Sequence, residues 1–302
     1  MKKLLVFIVG PTAIGKTSTA IDLATHFNTE IISCDSRQFY KEMNIGTAKP
    51  SRNEIKRIKH HLVSNISINK NYNISQFTYD ADIILKSILD KKNIAILVGG
   101  SGLYIESLIF GIDQIPEASM DLRNKLNNDL KNYGIKFLHN WLKKVDPEIL
   151  DKIDIKNPRR VIRALEICLV GKKKYSQIID KTKKIPKYDF LCIGLDCNRE
   201  ELYEVINKRV DSMVTNGLVS EVKSLYKFRK NNALNTIGYK EIFEYIEGND
   251  SLENCIEKIK VNSRRYAKRQ LTWFRSKNYV KWFDKPNLEE LINYIKINQQ
   301  ST

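Results

Sequence analysis

The chain has 302 residues, 42% of them hydrophobic, and carries 51 Lys+Arg against 35 Asp+Glu for a formal net charge of +16. That length supports one or two folded domains, and no stretch approaches the roughly 18 uncharged apolar residues of a membrane-spanning helix. The basic excess suits a polyanionic partner such as nucleic acid, although a composition rich in Lys, Asn and Ile could produce it without one.

The opening "MKKLLVFIVG" has the basic start and apolar run of a signal peptide. It lacks a small-residue cleavage site and runs straight into a Gly-rich loop, so it reads as a buried first strand. Residues 17–27 read as a helix with Ala20, Leu23, Ala24 and Phe27 on one face. "EIISCDS", "NIAILVGG" and "YDFLCIGLD" read as the next three strands, and "YVKWFD" as a late fifth. Residues 116–186 show only helical patterns, in "DLRNKLNNDLKNYG", "KFLHNWLKKV" and "NPRRVIRALEICLVGKK". After Asp196 a helix is followed by a break near Gly217 and a second helix. Strands alternating with helices indicate a parallel α/β sheet. The helical stretch reads as an all-helical insertion (116–186) into an α/β core (1–115 and 187–302), or alternatively as helices packed on the sheet. The last five residues, "NQQST", are expected to fray.

Cys34, Cys168, Cys192, Cys197 and Cys255 are odd in number and show no C-x-x-C spacing. A disulfide framework or zinc site is therefore not expected, and a reducing cytoplasm is. His60 and His61 have no partner at helical spacing and read as structural.

"GPTAIGKT", residues 10–17, matches G-x-x-x-x-G-K-[ST] between a strand and a helix. The residues are Gly10, Pro11, Thr12, Ala13, Ile14, Gly15, Lys16 and Thr17. Its glycines let successive N–H groups face an anion, and the following helix adds partial positive charge. Lys16 supplies a full charge, and the Thr17 hydroxyl can ligate Mg²⁺. The loop identifies bound phosphate, not the chemistry done on it; ATP and a Mg²⁺-bound diphosphate satisfy it equally. A P-loop NTPase-like core follows. Asp35 ends the second strand, on the side where open α/β sheets bind ligands. It could bind Mg²⁺, act as a general base, or merely start a loop.

"SCDSRQFYKEMNIGTAKP", "VGGSGLYI", "NPRRVIRALE", "NTIGYKEI" and "RRYAKRQLTWFR" follow the phosphate loop in order. With it they resemble the bacterial tRNA dimethylallyltransferases over almost the whole chain. The resemblance implies that the phosphates belong to dimethylallyl diphosphate. It implies transfer of the allyl group to N6 of the adenosine 3′ of the anticodon of tRNA. Asp35 would be the base, Lys16 and Thr17 with Mg²⁺ would hold the diphosphate, and Ser101 and Arg209 would assist. Asp35, Ser36, Arg37, Gln38 and Ser101 would meet anticodon-loop nucleotides. Gln38 offers a donor and an acceptor to a base edge, and Phe39 or Tyr40 could stack. Arg123, Arg159, Arg160, Val161, Ile162 and Arg163 would hold tRNA, as would Thr236, Gly238, Tyr239 and Lys240. Lys240 stands where some members have arginine, which keeps the charge but not bidentate geometry. The expected protein is a cytoplasmic monomer.

From the residues alone, Arg159, Arg160 and Arg163 lie off the apolar stripe of Ile162, Leu165 and Leu169, near a helix N-terminus capped by Asn157. They could read phosphates or be a solvated face. In "NSRRYAKRQLTWFR", Arg264 and Lys268 are four apart, as are Arg265 and Arg269, while Tyr266, Trp273 and Phe274 read as core. Three rivals remain: a small-molecule kinase, an isopentenyltransferase acting on free adenine nucleotides, and an RNA-binding module with a vestigial phosphate loop.

Overall fold

The computed structural model describes residues 3–113, 115–117, 119–179 and 185–300. The chain divides into two compact units, Met1–Gly111 with Pro186–Thr302, and Ile112–Ile185.

The first unit is built on six parallel strands: β1 (Leu4–Val9), β2 (Ile31–Ser33), β3 (His60–His61), β4 (Ile94–Val98), β5 (Asp189–Asp196) and β6 (Val280–Asp284), in the order β3-β2-β4-β1-β5-β6. β1 is central and wholly buried. Leu5, Phe7 and Val9 enter the core on one face of the sheet, and Leu4, Val6 and Ile8 the core on the other. A strand covered on both faces needs apolar residues at every position, which is why it reads as an unbroken run.

The helices, in chain order, are α1 (Lys16–His26), α2 (Arg52–Arg57), α3 (Ile74–Leu89), α4 (Gly102–Phe110), α5 (Met120–Val145), α6 (Pro158–Gly171), α7 (Tyr175–Ile178), α8 (Arg199–Thr215), α9 (Leu218–Ser224), α10 (Tyr239–Ile246), α11 (Leu252–Arg275) and α12 (Leu288–Gln300). Gly217, in the left-handed region at φ 99°, makes the expected break between α8 and α9. α9 to α11 carry a third core that takes in Tyr40 and Met43. Among the described residues no helix is long and apolar enough to cross a membrane.

The second unit has its own core of Leu126, Leu138, Leu142, Ile149, Val161, Ile162, Ala164 and Leu165. The two helices expected at its start form one run, α5, interrupted where Gly134 leaves helical geometry at φ 75°, ψ 175°. Glycine reaches that region without a Cβ penalty, which explains why the sequence pattern looks like two helices.

Two details differ from the sequence reading. β3 was not expected: a two-residue strand presents no alternating pattern, and its pairing with Ile31 and Ile32 creates it. Within it, His61 Nε2 hydrogen-bonds Glu30 Oε2 at 2.5 Å. At the other end, Asn298, Gln299 and Gln300 are not frayed but close α12, and the final two residues lie outside those described.

Candidate active site

The strand order places β2, β4 and β1 side by side, so the loops leaving their carboxyl ends share one edge of the sheet. Two hydrogen bonds knit the exits: Cys34 N–H donates to Val98 O at 2.7 Å and Gly99 N–H to Ile8 O at 3.2 Å. From β1 comes the phosphate loop. Gly15 at φ 94° and Ala13 at φ 70° both occupy the left-handed region, which for alanine is a strained conformation of the kind found at functional loops. Gly10 and Pro11 are buried beneath the turn, and Ile14 packs into the cores on either side of it. Lys16 opens α1, and its ammonium donates to Pro11 O at 2.6 Å. Burial, and next the nearby Arg209 guanidinium, lower the Lys16 pKa to about 7 against the opposing pull of Asp35.

A cleft of about 550 Å³ is lined by Thr12, Ala13, Gly15, Lys16 and Thr17 on one side and by Asp35, Gln38 and Arg209 on others. Asp35 follows β2, and its Oδ1 accepts the Arg37 N–H at 2.9 Å, an Asx turn that fixes the carboxylate. Arg209, on α8, reaches back so that Nη1 donates to Thr12 Oγ1 at 3.3 Å. Its pKa is lowered by burial, with Asp35 opposing. Ser101 precedes α4, yet its side chain does not cap that helix. It accepts the Ser36 N–H at 3.2 Å instead, turning it toward the Asp35 loop.

Several residues expected to meet RNA make contacts within the protein. Gln38 spends its amide inside the protein: Oε1 accepts from Ser33 Oγ at 3.1 Å, and Nε2 donates to Thr47 O and Ala48 O. Arg37 donates to the carbonyls of Asn232, Ala233 and Asn235. Phe39 and Tyr40 are 1% and 5% exposed, so neither ring can stack on a base. Gly238 and Tyr239 are buried as well, whereas Thr236 is half-buried and Lys240 exposed. The loop pattern of "NTIGYKEI" gave no way to tell the inward tyrosine from the outward lysine.

In the helical unit, Arg159 and Arg160 lie exposed at the start of α6. Val161 and Ile162 are in that unit's core, so their side chains cannot meet RNA. Arg123 makes a bidentate pair with the fully buried Glu166 at 2.6 and 2.7 Å, and Arg163 joins it at 3.2 Å. Both are thereby tied to the unit's interior, and Glu166 raises the Arg123 pKa.

The sequence reading missed two residues of α11. Tyr266, read there as core bulk, brings its hydroxyl near Ser101, and burial followed by the proximity of Asp35 pushes its pKa up to about 12. Gln270, one turn on, bonds both the phosphate loop and the β4 loop. Their spacing of four residues put them on one helix face, but only the fold shows what that face meets.

The sheet order and the cleft with its phosphate loop, aspartate and arginine define a P-loop-like transferase. Residues 38–277 match the IPP transferase family model. A tRNA dimethylallyltransferase of Christiangramia forsetii is 46% identical over 99% of this chain and 100% of its own length. The tRNA isopentenylpyrophosphate transferase of Bacillus halodurans superposes with a TM-score of 0.73 at 40% identity, covering 98% of this chain and 96% of that one. A eukaryotic dimethylallyltransferase acting on tRNA gives 0.81 at 30% identity over 95% and 75%. The chain belongs to the IPP transferase family.

Proposed function

We propose that the protein transfers a dimethylallyl group from dimethylallyl diphosphate to N6 of the adenosine 3′ of the anticodon in tRNA, releasing diphosphate. The observation that carries the chemistry is one cleft holding a phosphate loop, its lysine and arginine, and a fixed carboxylate. The N6 lone pair forms a bond to C1 of the allyl group as the C1–oxygen bond to diphosphate breaks, and the N6 proton passes to Asp35. Positioned proton transfer contributes about 10²–10⁴-fold. Lys16, Arg209 and the loop amides stabilise the charge growing on the leaving diphosphate. The adenine must leave its stack to reach this cleft.

Mg²⁺ fits the donor set. Thr17 brings a hard hydroxyl oxygen to the cleft, and no cluster of three acidic, His or Cys side chains occurs among the described residues. A cation held by one or two protein oxygens with phosphate and water completing its shell is what Mg²⁺ prefers. The chemistry it would supply is neutralisation of the diphosphate oxygens.

Exposed Arg159, Arg160 and Lys240, with half-buried Thr236, are the proposed phosphate and loop contacts for tRNA, and the basic charge supports long-range attraction. Five free cysteines fit a reducing cytoplasm. The test is label transfer from dimethylallyl diphosphate to a tRNA transcript with adenosine after its anticodon, with AMP and ATP as parallel acceptors. Transfer to tRNA alone is expected; transfer to free nucleotide, or ATP hydrolysis without transfer, would overturn the reading.

A further inference from the structure

The segment 44–50 forms part of the wall of the same cleft as the phosphate loop: Thr47, Ala48, Lys49 and Pro50 line it, and the last three also line an adjoining cavity of about 660 Å³. The segment has no regular secondary structure beyond turns, so its position depends on what grips it. One carboxylate grips its start. Glu221, on α9, accepts the N–H groups of Asn44 and Ile45 on Oε2 at 2.9 and 2.8 Å, and that of Gly46 on Oε1 at 3.1 Å. Three successive amides converging on one anion form a nest. The nest is filled from within the protein, so it is not a ligand site. Behind it, the buried Tyr239 hydroxyl donates to Glu221 Oε1 at 2.6 Å. A Cβ on Gly46 would stand 2.5 Å from the Tyr239 ring, so the turn closes against that ring only because residue 46 is glycine.

The grip passes along the segment. Gln38 Nε2 holds Thr47 O and Ala48 O, while Gln38 Oε1 takes the Ser33 hydroxyl, two residues before Asp35. At the far end the Lys49 ammonium donates to Tyr40 O, Lys41 O and Asn44 Oδ1, closing the segment on itself. With its donors turned to these oxygens, Lys49 acts as a staple rather than an anion ligand.

We infer that Glu221, braced by Tyr239, is a positioning residue that sets the wall that residues 47–50 give the diphosphate cleft by holding the backbone of residues 44–46. It touches no substrate and acts through the segment it anchors. The inference rests on the allyl-diphosphate reading above.

The test compares wild type with Glu221→Gln and Tyr239→Phe in the full-length chain. A glutamine must turn its NH₂ toward either the two amides or the third, so one donor faces another donor. KM for dimethylallyl diphosphate, KM for tRNA, kcat, inorganic-diphosphate binding by calorimetry and the melting midpoint are measured. For Glu221→Gln, donor KM and the diphosphate Kd rise about tenfold with tRNA KM within about twofold, as expected for a displaced wall of the diphosphate cleft. Tyr239→Phe, which removes one hydrogen bond, gives about threefold in the same direction. Unchanged donor KM and diphosphate binding overturn the inference, even if the melting midpoint falls. Should Glu221→Gln fail to fold, Tyr239→Phe decides by the same readout. A wild-type protein that neither binds diphosphate nor transfers the allyl group would instead overturn the proposed function.

Discussion

Gln270 and Thr12, 258 residues apart, are joined by a hydrogen bond in which the Thr12 N–H donates to Gln270 Oε1 at 2.8 Å. The same side chain donates through Nε2 to Gly100 O at 3.0 Å. One amide thus ties the phosphate loop after β1 to the glycine turn after β4, and both of its polar ends are needed. Gln270→Glu removes the donor and sets a carboxylate against the Gly100 carbonyl. We expect kcat/KM for allyl transfer to fall about 10–100-fold, the range for losing a buried hydrogen bond and leaving its partner unpaired. Steady-state kinetics check it, and activity within about twofold of wild type would remove Gln270 from the support of the site.

Asp35→Ala is expected to reduce transfer by at least about 10²-fold, the lower end for a general base. Binding of tRNA, measured by filter retention, should largely persist, because the other proposed RNA contacts are untouched. Near-normal turnover would remove Asp35 from the base role.

Lys16 sets a pH signature. Its pKa is lowered to about 7, chiefly by burial. The unfolded chain therefore binds more protons than the folded one between about pH 7 and the ordinary lysine value near 10.4, and this residue makes stability rise with pH across that window. An incoming diphosphate favours the charged ammonium. Calorimetry near pH 8 in two buffers of different ionisation enthalpy should show net proton uptake on diphosphate binding, and Lys16→Met should lose most of it. Uptake equal in the variant would assign it to another group.

The arginines of the helical unit divide into two kinds. Arg159→Ala with Arg160→Ala should weaken tRNA binding and reduce the slope of log K against log salt by about 2, one for each lost phosphate contact. Arg160 is only 4.0 Å from exposed Asp154, a pair too solvated to hold it back. Arg123→Ala should act on stability, because it strips a buried carboxylate of its bidentate partner; such losses run to about 3–5 kcal/mol, somewhat less here because Arg163 remains. A melting curve separates the two. An unchanged salt slope in the double variant would mean that Arg159 and Arg160 do not touch phosphate.

The α/β core, the phosphate loop and the aspartate at the end of β2 were legible because each is a local pattern. An apolar run, a glycine spacing and a turn residue are written in consecutive positions. So was the helical stretch, though its glycine kink was read as two helices. What was not legible is which member of a motif faces inward. In "NTIGYKEI" the tyrosine goes to the core and the lysine to solvent; in "NPRRVIRALE" two arginines are exposed and a third is bound to Glu166. In "DSRQFY" the Arg37 and Gln38 side chains brace the protein itself, while Asp35 faces the cleft.

By itself, the sequence determined the class of this protein: a strand, a phosphate loop and a carboxylate in the order of the IPP transferases, since hydrophobic period and loop chemistry act over a few residues. The tertiary structure alone decided how the site is held. Tyr266 and Gln270 reach it from α11, Arg209 from α8, and Glu221 anchors a wall whose start lies 177 residues earlier. Such contacts depend on which helix faces packs against which loop, and buried polar groups must find partners wherever the fold brings them. No spacing within the chain encodes that.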